Sequence, residues 1–105
     1  MTSIAERKAA MLARRAELVE EIREIEAQLR SETTPDDDDR AIEREADEAL
    51  EEKERLDQLE IQQIDAALKR IEEGEYGYCV RCGEEIAPER LDLLPHTPFC
   101  ARCAV

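Results

Sequence analysis

A chain of 105 residues, 41% of them charged and 3% aromatic, has too little apolar material for a large core, so any compact part of it needs another kind of cross-link. Its formal net charge of −13, from 28 acids against 15 bases, repels a phosphate backbone and excludes non-specific nucleic-acid binding driven by counterion release. A basic surface on a protein partner fits this charge better.

No apolar run approaches the roughly eighteen residues that span a bilayer, and "MTSIAERKAAMLARRAE" lacks the apolar centre of a signal peptide. A soluble, cytoplasmic protein without membrane contact is expected. From Ile4 onward, Ile4, Met11, Leu18 and Ile25 share one heptad position, with Ile22 and Leu29 on a second that Lys8 and Arg15 occupy earlier. Spacings that alternate between four and three describe a coiled-coil seam, and the pattern predicts helix 1 from about residue 3 to residue 31.

A second run follows in Ile42, Ala46, Ala49, Leu50, Leu56, Leu59, Ile64, Ala67, Leu68 and Ile71. It predicts helix 2 from Pro35 to about Glu73, with Gly74 just past the end. Only "SETT" separates the two helices, so they are expected to fold back antiparallel. A pivot between Pro35 and Asp36 pairs Leu29 with Ile42, Ile25 with Ala46 and Ile22 with Ala49; lower down it sets Leu18 opposite Lys53 and Arg15 opposite Leu56. At 1.5 Å per residue, such a hairpin is a rod roughly 43 Å long.

The turn itself, "TTPDDDDRA", has a plain structural reading. Thr34 suits the N-cap, Pro35 the first helical position, and Asp36 and Asp37 the next two, where acids complement the helix dipole. Asp38 and Asp39 extend past the best capping positions, and Asp is a poor interior helix former. The second pair therefore leaves room for a functional tip.

After Gly74 the composition changes, and all four cysteines, the remaining prolines and the three aromatics Tyr76, Tyr78 and Phe99 fall in this last third. Cys79 and Cys82 form one C-x2-C, Cys100 and Cys103 another, a spacing that points to zinc. Four thiolates close a tetrahedron with no open position, which makes the site structural rather than catalytic. Two disulfides or a redox C-x-x-C compete with this reading, and His96 could in principle replace a cysteine. Gly83 suits a tight turn whose backbone N–H groups face the sulfurs. Ile86, Leu91, Leu93, Leu94 and Phe99 are the expected apolar layer beneath the metal. With Arg81, Arg90 and Arg102 among five acids in residues 75 to 103, the finger has no basic face for nucleic acid. The fold class is thus mainly α: residues 1–73 a long antiparallel helical hairpin with its acidic tip near 33–41, and residues 74–105 a small four-cysteine zinc finger.

This combination resembles the DksA/TraR family of bacterial transcription factors. In "YGYCVRCGEEIAPERLDLLPHTPFC" the matching positions are Gly77, Cys79, Cys82, Gly83, Ile86, Arg90, Leu91, Pro95 and Cys100, followed by Cys103. In the turn, "PDDDDRA" is similar to the family's D-x-x-D-x-A, giving Asp36, Asp39 and Ala41, with Asp37, Asp38 and Arg40 as secondary tip residues. The resemblance implies a regulator that is not an enzyme, carries one structural Zn²⁺ and binds RNA polymerase rather than DNA; a monomer is expected. Its hairpin would enter the secondary channel, bring the acidic tip to the active centre and alter open-complex stability, as in the stringent response. Longer members have an N-terminal extension and a helix after the last cysteine, whereas this sequence begins with helix 1 and stops two residues after Cys103. They also hold the alarmone ppGpp with basic residues where this chain has Gln63, Leu94 and Ala104; action without the alarmone is expected. Two other readings use the same residues: a channel-entering stimulator of transcript cleavage whose carboxylates hold Mg²⁺, and a coiled-coil adaptor in which the tip is only a cap.

Overall fold

The structure, a computed structural model, describes residues 2–30 and 37–104, the side chains of 37–43 excepted. It is mainly helical. Helix α1 spans Ile4–Leu29, α2 spans Asp37–Glu72 and a short α3 spans Pro88–Leu93. Among the described residues the only extended pairing is an isolated antiparallel bridge between Tyr78 and Glu85.

Each helix boundary has a local cause. At the start of α1 the Ser3 hydroxyl accepts the Glu6 N–H at 3.1 Å and donates to the Glu6 carboxylate at 3.2 Å. This Ser-x-x-Glu pairing satisfies one of the free N–H groups of the first turn. The expected N-cap at Thr34, together with Pro35 and Asp36, lies outside the described residues. At the other end of α2, Gly74 adopts φ 74° while its N–H donates to the Ile71 carbonyl at 3.2 Å and the Glu75 N–H to the Arg70 carbonyl at 2.8 Å. That is a Schellman closure, and the left-handed backbone explains the glycine.

The chain divides into two compact units, one made of Met1–Arg15 with Ile61–Val105, the other of Ala16–Glu60. In each, a segment of α1 packs against a segment of α2 as a helical hairpin. The expected seam of α1 is present: Met11, Leu18 and Ile25 are buried, and Ile22 and Leu29 are half-buried. Ile4, on the same heptad position, is exposed.

The seam of α2 differs from the one expected. Its shielded positions include Leu50, Glu54, Asp57, Ile61, Ile64, Leu68 and Ile71, which alternate by four and three, with Ala67 buried beside them. Leu56 and Leu59, at 50% and 44% exposed, face outward, as do Ala46 and Ala49. The expected register is corrected accordingly: Lys53 pairs with Glu21 at 3.4 Å rather than lying opposite Leu18, and Arg15 pairs with Asp65 at 2.7 Å rather than covering Leu56. The physical reason is that two seam positions are acidic, so a line drawn through apolar residues alone is pulled onto their neighbours. The expected partner of Leu29, Ile42, has a side chain outside the described residues.

In the unit that holds the cysteines, the finger rests on the helix bases through polar ties. Arg7, only 6% exposed, reaches Asp92 at 2.6 Å; the Tyr76 hydroxyl donates to the Pro95 carbonyl at 2.8 Å; and Arg70 donates to the His96 carbonyl at 3.5 Å. Ile86 and Leu91 are buried and Phe99 is half-buried, as expected for the apolar layer. Leu93 and Leu94 are not part of it, with Leu93 82% exposed. On a helix each residue turns by about 100°, so once Leu91 points inward Leu93 falls about 200° away, on the outer face.

Candidate metal centre

The first cysteine pair sits in a narrow turn. The Cys79 N–H donates to the Glu84 carbonyl at 2.8 Å, the Gly83 N–H to the Cys79 carbonyl at 2.9 Å, and the Ile86 N–H to the Gly77 carbonyl at 2.8 Å. Gly83 makes the turn with φ 79°. The second pair is closed by Cys103 and Ala104, whose N–H groups both donate to the Cys100 carbonyl at 3.1 Å. The Val80 N–H donates to the Pro98 carbonyl at 2.9 Å, tying one turn to the other. Arg90 Nε holds the Phe99 carbonyl at 3.0 Å, and Thr97 Oγ1 donates to it at 3.2 Å, which positions the segment leading into Cys100.

These turns bring four sulfurs, those of Cys79, Cys82, Cys100 and Cys103, within 4.8 Å of one another. All four are free thiols. Zn–S bonds of about 2.3 Å at tetrahedral angles put sulfurs about 3.8 Å apart, and Cys82 Sγ lies 3.7 Å from Cys100 Sγ. The donor set and its spacing fit one Zn²⁺ in a closed, structural coordination shell. His96 is half-buried and is not one of this group.

The turns also prepare the sulfurs electrostatically. Burial works against a Cys79 thiolate, but the N–H groups of Cys100, Cys82 and Arg81, with the Cys82 thiol, outweigh it and bring its pKa down to about 6. Cys100 is lowered chiefly by the Cys103 N–H. For Cys82, the Glu84 N–H favours the thiolate, yet burial and contacts with Cys79 and Cys100 leave it raised. Contact with Cys100, then burial, pushes Cys103 up to about 12. One sulfur of each pair thus ionises readily and the other resists, because neighbouring thiolates repel; a divalent cation among them removes that resistance.

The remaining residues singled out from the sequence are placed as follows. Ile86 and Leu91 are buried, Arg90 holds the Phe99 carbonyl, and the Pro95 carbonyl accepts from the Tyr76 hydroxyl. Asp37, Asp38, Asp39, Arg40 and Ala41 open α2, and Asp36 lies outside the described residues. Sequence reasoning missed Arg7, Asp92, Tyr76 and Arg70, the side chains that seat the finger. No periodicity links residue 7 with residue 92; the Ser-x-x-Glu at Ser3, by contrast, is a signal that could have been read.

Comparison with known proteins covers both parts of the chain. Residues 8–71 match the family described as DnaK suppressor protein-like, N-terminal domain, and residues 74–105 match the prokaryotic dksA/traR C4-type zinc finger. The RNA polymerase-binding transcription factor DksA of Caulobacter vibrioides is 43% identical over 91 residues, 84% of this chain and 63% of that protein. Its namesake from Haemophilus influenzae is 37% identical over 90 residues, 83% of this chain and 61% of that protein. The chain therefore spans less than two thirds of the length of these relatives. Among solved structures, transcription factor DksA2 from Pseudomonas aeruginosa superposes with a TM-score of 0.76 at 27% identity, covering 91% of this chain and 75% of that one. The DnaK suppressor protein from Agrobacterium tumefaciens gives 0.69 at 41% identity, covering 99% and 93%.

Proposed function

Because this chain belongs to the DksA/TraR family, we propose that it is a cytoplasmic transcription regulator that binds RNA polymerase rather than DNA and has no catalytic activity of its own. The observation that carries the reading is the succession of both family domains in one chain, with the four-sulfur cluster of the second complete. In this proposal the paired helices enter the polymerase secondary channel. A 26-residue α1 is about 39 Å long, enough to reach inward from a channel mouth. The net charge of −13 suits a basic lining.

Asp36 and Asp39 then act near the catalytic magnesium, Ala41 provides clearance, and Asp37, Asp38 and Arg40 flank them. The consequence is a change in the lifetime of the promoter open complex. Where longer members use cations for the alarmone, Gln63, Leu94 and Ala104 offer none, and all three are exposed and uncharged. The proposal is therefore that ppGpp is not required, and that a monomer is the acting species.

In vitro transcription with the cognate polymerase tests this, comparing wild type with an Asp36→Asn/Asp39→Asn variant that still binds zinc and polymerase. A shortened or lengthened open-complex lifetime with wild type alone supports the tip's role. Equal effects from both proteins would reduce the aspartates to a helix start, and no binding to polymerase by either would overturn the reading.

A further inference from the structure

The seam of α2 carries an acid where a hydrophobic residue would ordinarily sit. Asp57 is 5% exposed, and its Oδ2 has no hydrogen-bond partner among the described residues. Its other oxygen, Oδ1, lies 3.5 Å from Lys53 Nζ, which is also 3.4 Å from Glu21 Oε2 on α1. The Glu21 carboxyl is itself within hydrogen-bonding reach of Asp57. All three residues belong to the Ala16–Glu60 unit. We propose that Glu21 and Asp57 share one bound proton, forming with Lys53 a proton-binding site between α1 and α2.

The chemistry follows from the count of charges and donors. Two carboxylates around one ammonium leave an excess negative charge at a buried atom, and neither carboxylate has a hydrogen to offer Oδ2. A single proton cancels the excess and turns repulsion into a carboxyl–carboxylate hydrogen bond. Lys53 cannot do this alone. Both its contacts are longer than the roughly 2.7–2.9 Å of a strong charge-assisted hydrogen bond, so it straddles the pair. The charged groups that act on Asp57 are Glu21 from the opposite helix and Lys53 from its own. Burial first, then Glu21, raise its pKa against the opposing pull of Lys53.

The folded unit then binds this proton more tightly than the unfolded chain does. Stability is greatest with the proton in place and declines as pH rises through the raised midpoint. The two groups titrate as a pair rather than separately. This inference concerns the hairpin alone and does not depend on the proposed function.

The test is a pH titration of side-chain carboxyl carbons by NMR on the zinc-loaded full chain. The expected result is a shared step at Asp57 and Glu21 with its midpoint above the usual carboxylate range, abolished at Glu21 by Asp57→Asn. Independent titration of both carbons in the ordinary range overturns the proposal. Thermal melts across the same pH range provide a second readout. The Asp57→Asn amide supplies a hydrogen at every pH, so the variant should lose less Tm than wild type as pH rises, and parallel losses would count against a shared proton. Should Asp57→Asn not fold, Glu21→Gln asks the same question from the other side, and the wild-type titration needs no variant.

Discussion

Arg7, in the second turn of α1, donates to Asp92 in the last turn of α3 at 2.6 Å, joining residues 85 positions apart. The guanidinium is buried while the carboxylate side chain is 49% exposed, so the arginine depends on this contact more than the aspartate does. Arg7→Ala should destabilise the protein by about 1–3 kcal/mol, the usual cost of losing a buried charge-assisted contact. Thermal melts of the zinc-loaded chain measure it; an unchanged Tm would mean that the tie contributes nothing.

The same pair has a pH signature. The Thr2 hydroxyl and then Arg7 hold Asp92 below its usual pKa. A depressed carboxylate contributes stability at neutral pH that disappears as acid protonates it in the fold. Wild type should therefore lose more stability than Asp92→Asn on acidification below the ordinary carboxylate range. Melts at a series of acidic pH values check the sign, which is opposite to that expected for Asp57.

The corrected seam can be tested by paired truncations. Ile64→Ala removes a fully buried side chain and should cost about 2–5 kcal/mol. Leu59→Ala, on the outward face, should cost about 0.5 kcal/mol or less. Denaturant titrations would show comparable losses from the two truncations if the helices used the seam expected from sequence, which includes both residues.

Metal removal should act on the finger first. The purified protein is expected to carry about one zinc per chain, and a strong chelator should release it with loss of the ordered signals of residues 75–104. Cys79→Ser and Cys103→Ser should each abolish tight binding, since all four sulfurs are needed to close the tetrahedron. Metal analysis with NMR of the same samples would show otherwise if a variant kept its zinc.

The finger and the seam of α1 were legible because both depend on spacing. Two C-x2-C pairs name their ligands directly, and Met11, Leu18 and Ile25 recur every seven residues without interruption. The α2 seam was not, because Glu54 and Asp57 occupy shielded positions and Leu56 and Leu59 do not. Hydrophobicity alone cannot reveal a polar seam residue such as Asp57, whose ion-pair partner, Lys53, lies one turn earlier on its own helix. The seating of the finger was equally hidden, since Arg7, Asp92, Tyr76 and Pro95 meet only through tertiary folding. The acidic run is different again: its residues could be named, while the contacts proposed for them are with a partner.

The closure at Gly74 has a mechanical consequence. With the Glu75 N–H bonded back to Arg70 and Tyr76 anchored on Pro95, no slack separates the last turn of α2 from the cysteine turns. The junction therefore transmits rotation like a keyed shaft. A single residue inserted within the last turn of α2 would change the azimuth of that junction by about 100°, setting Arg70 out of phase with His96 without disturbing any metal ligand.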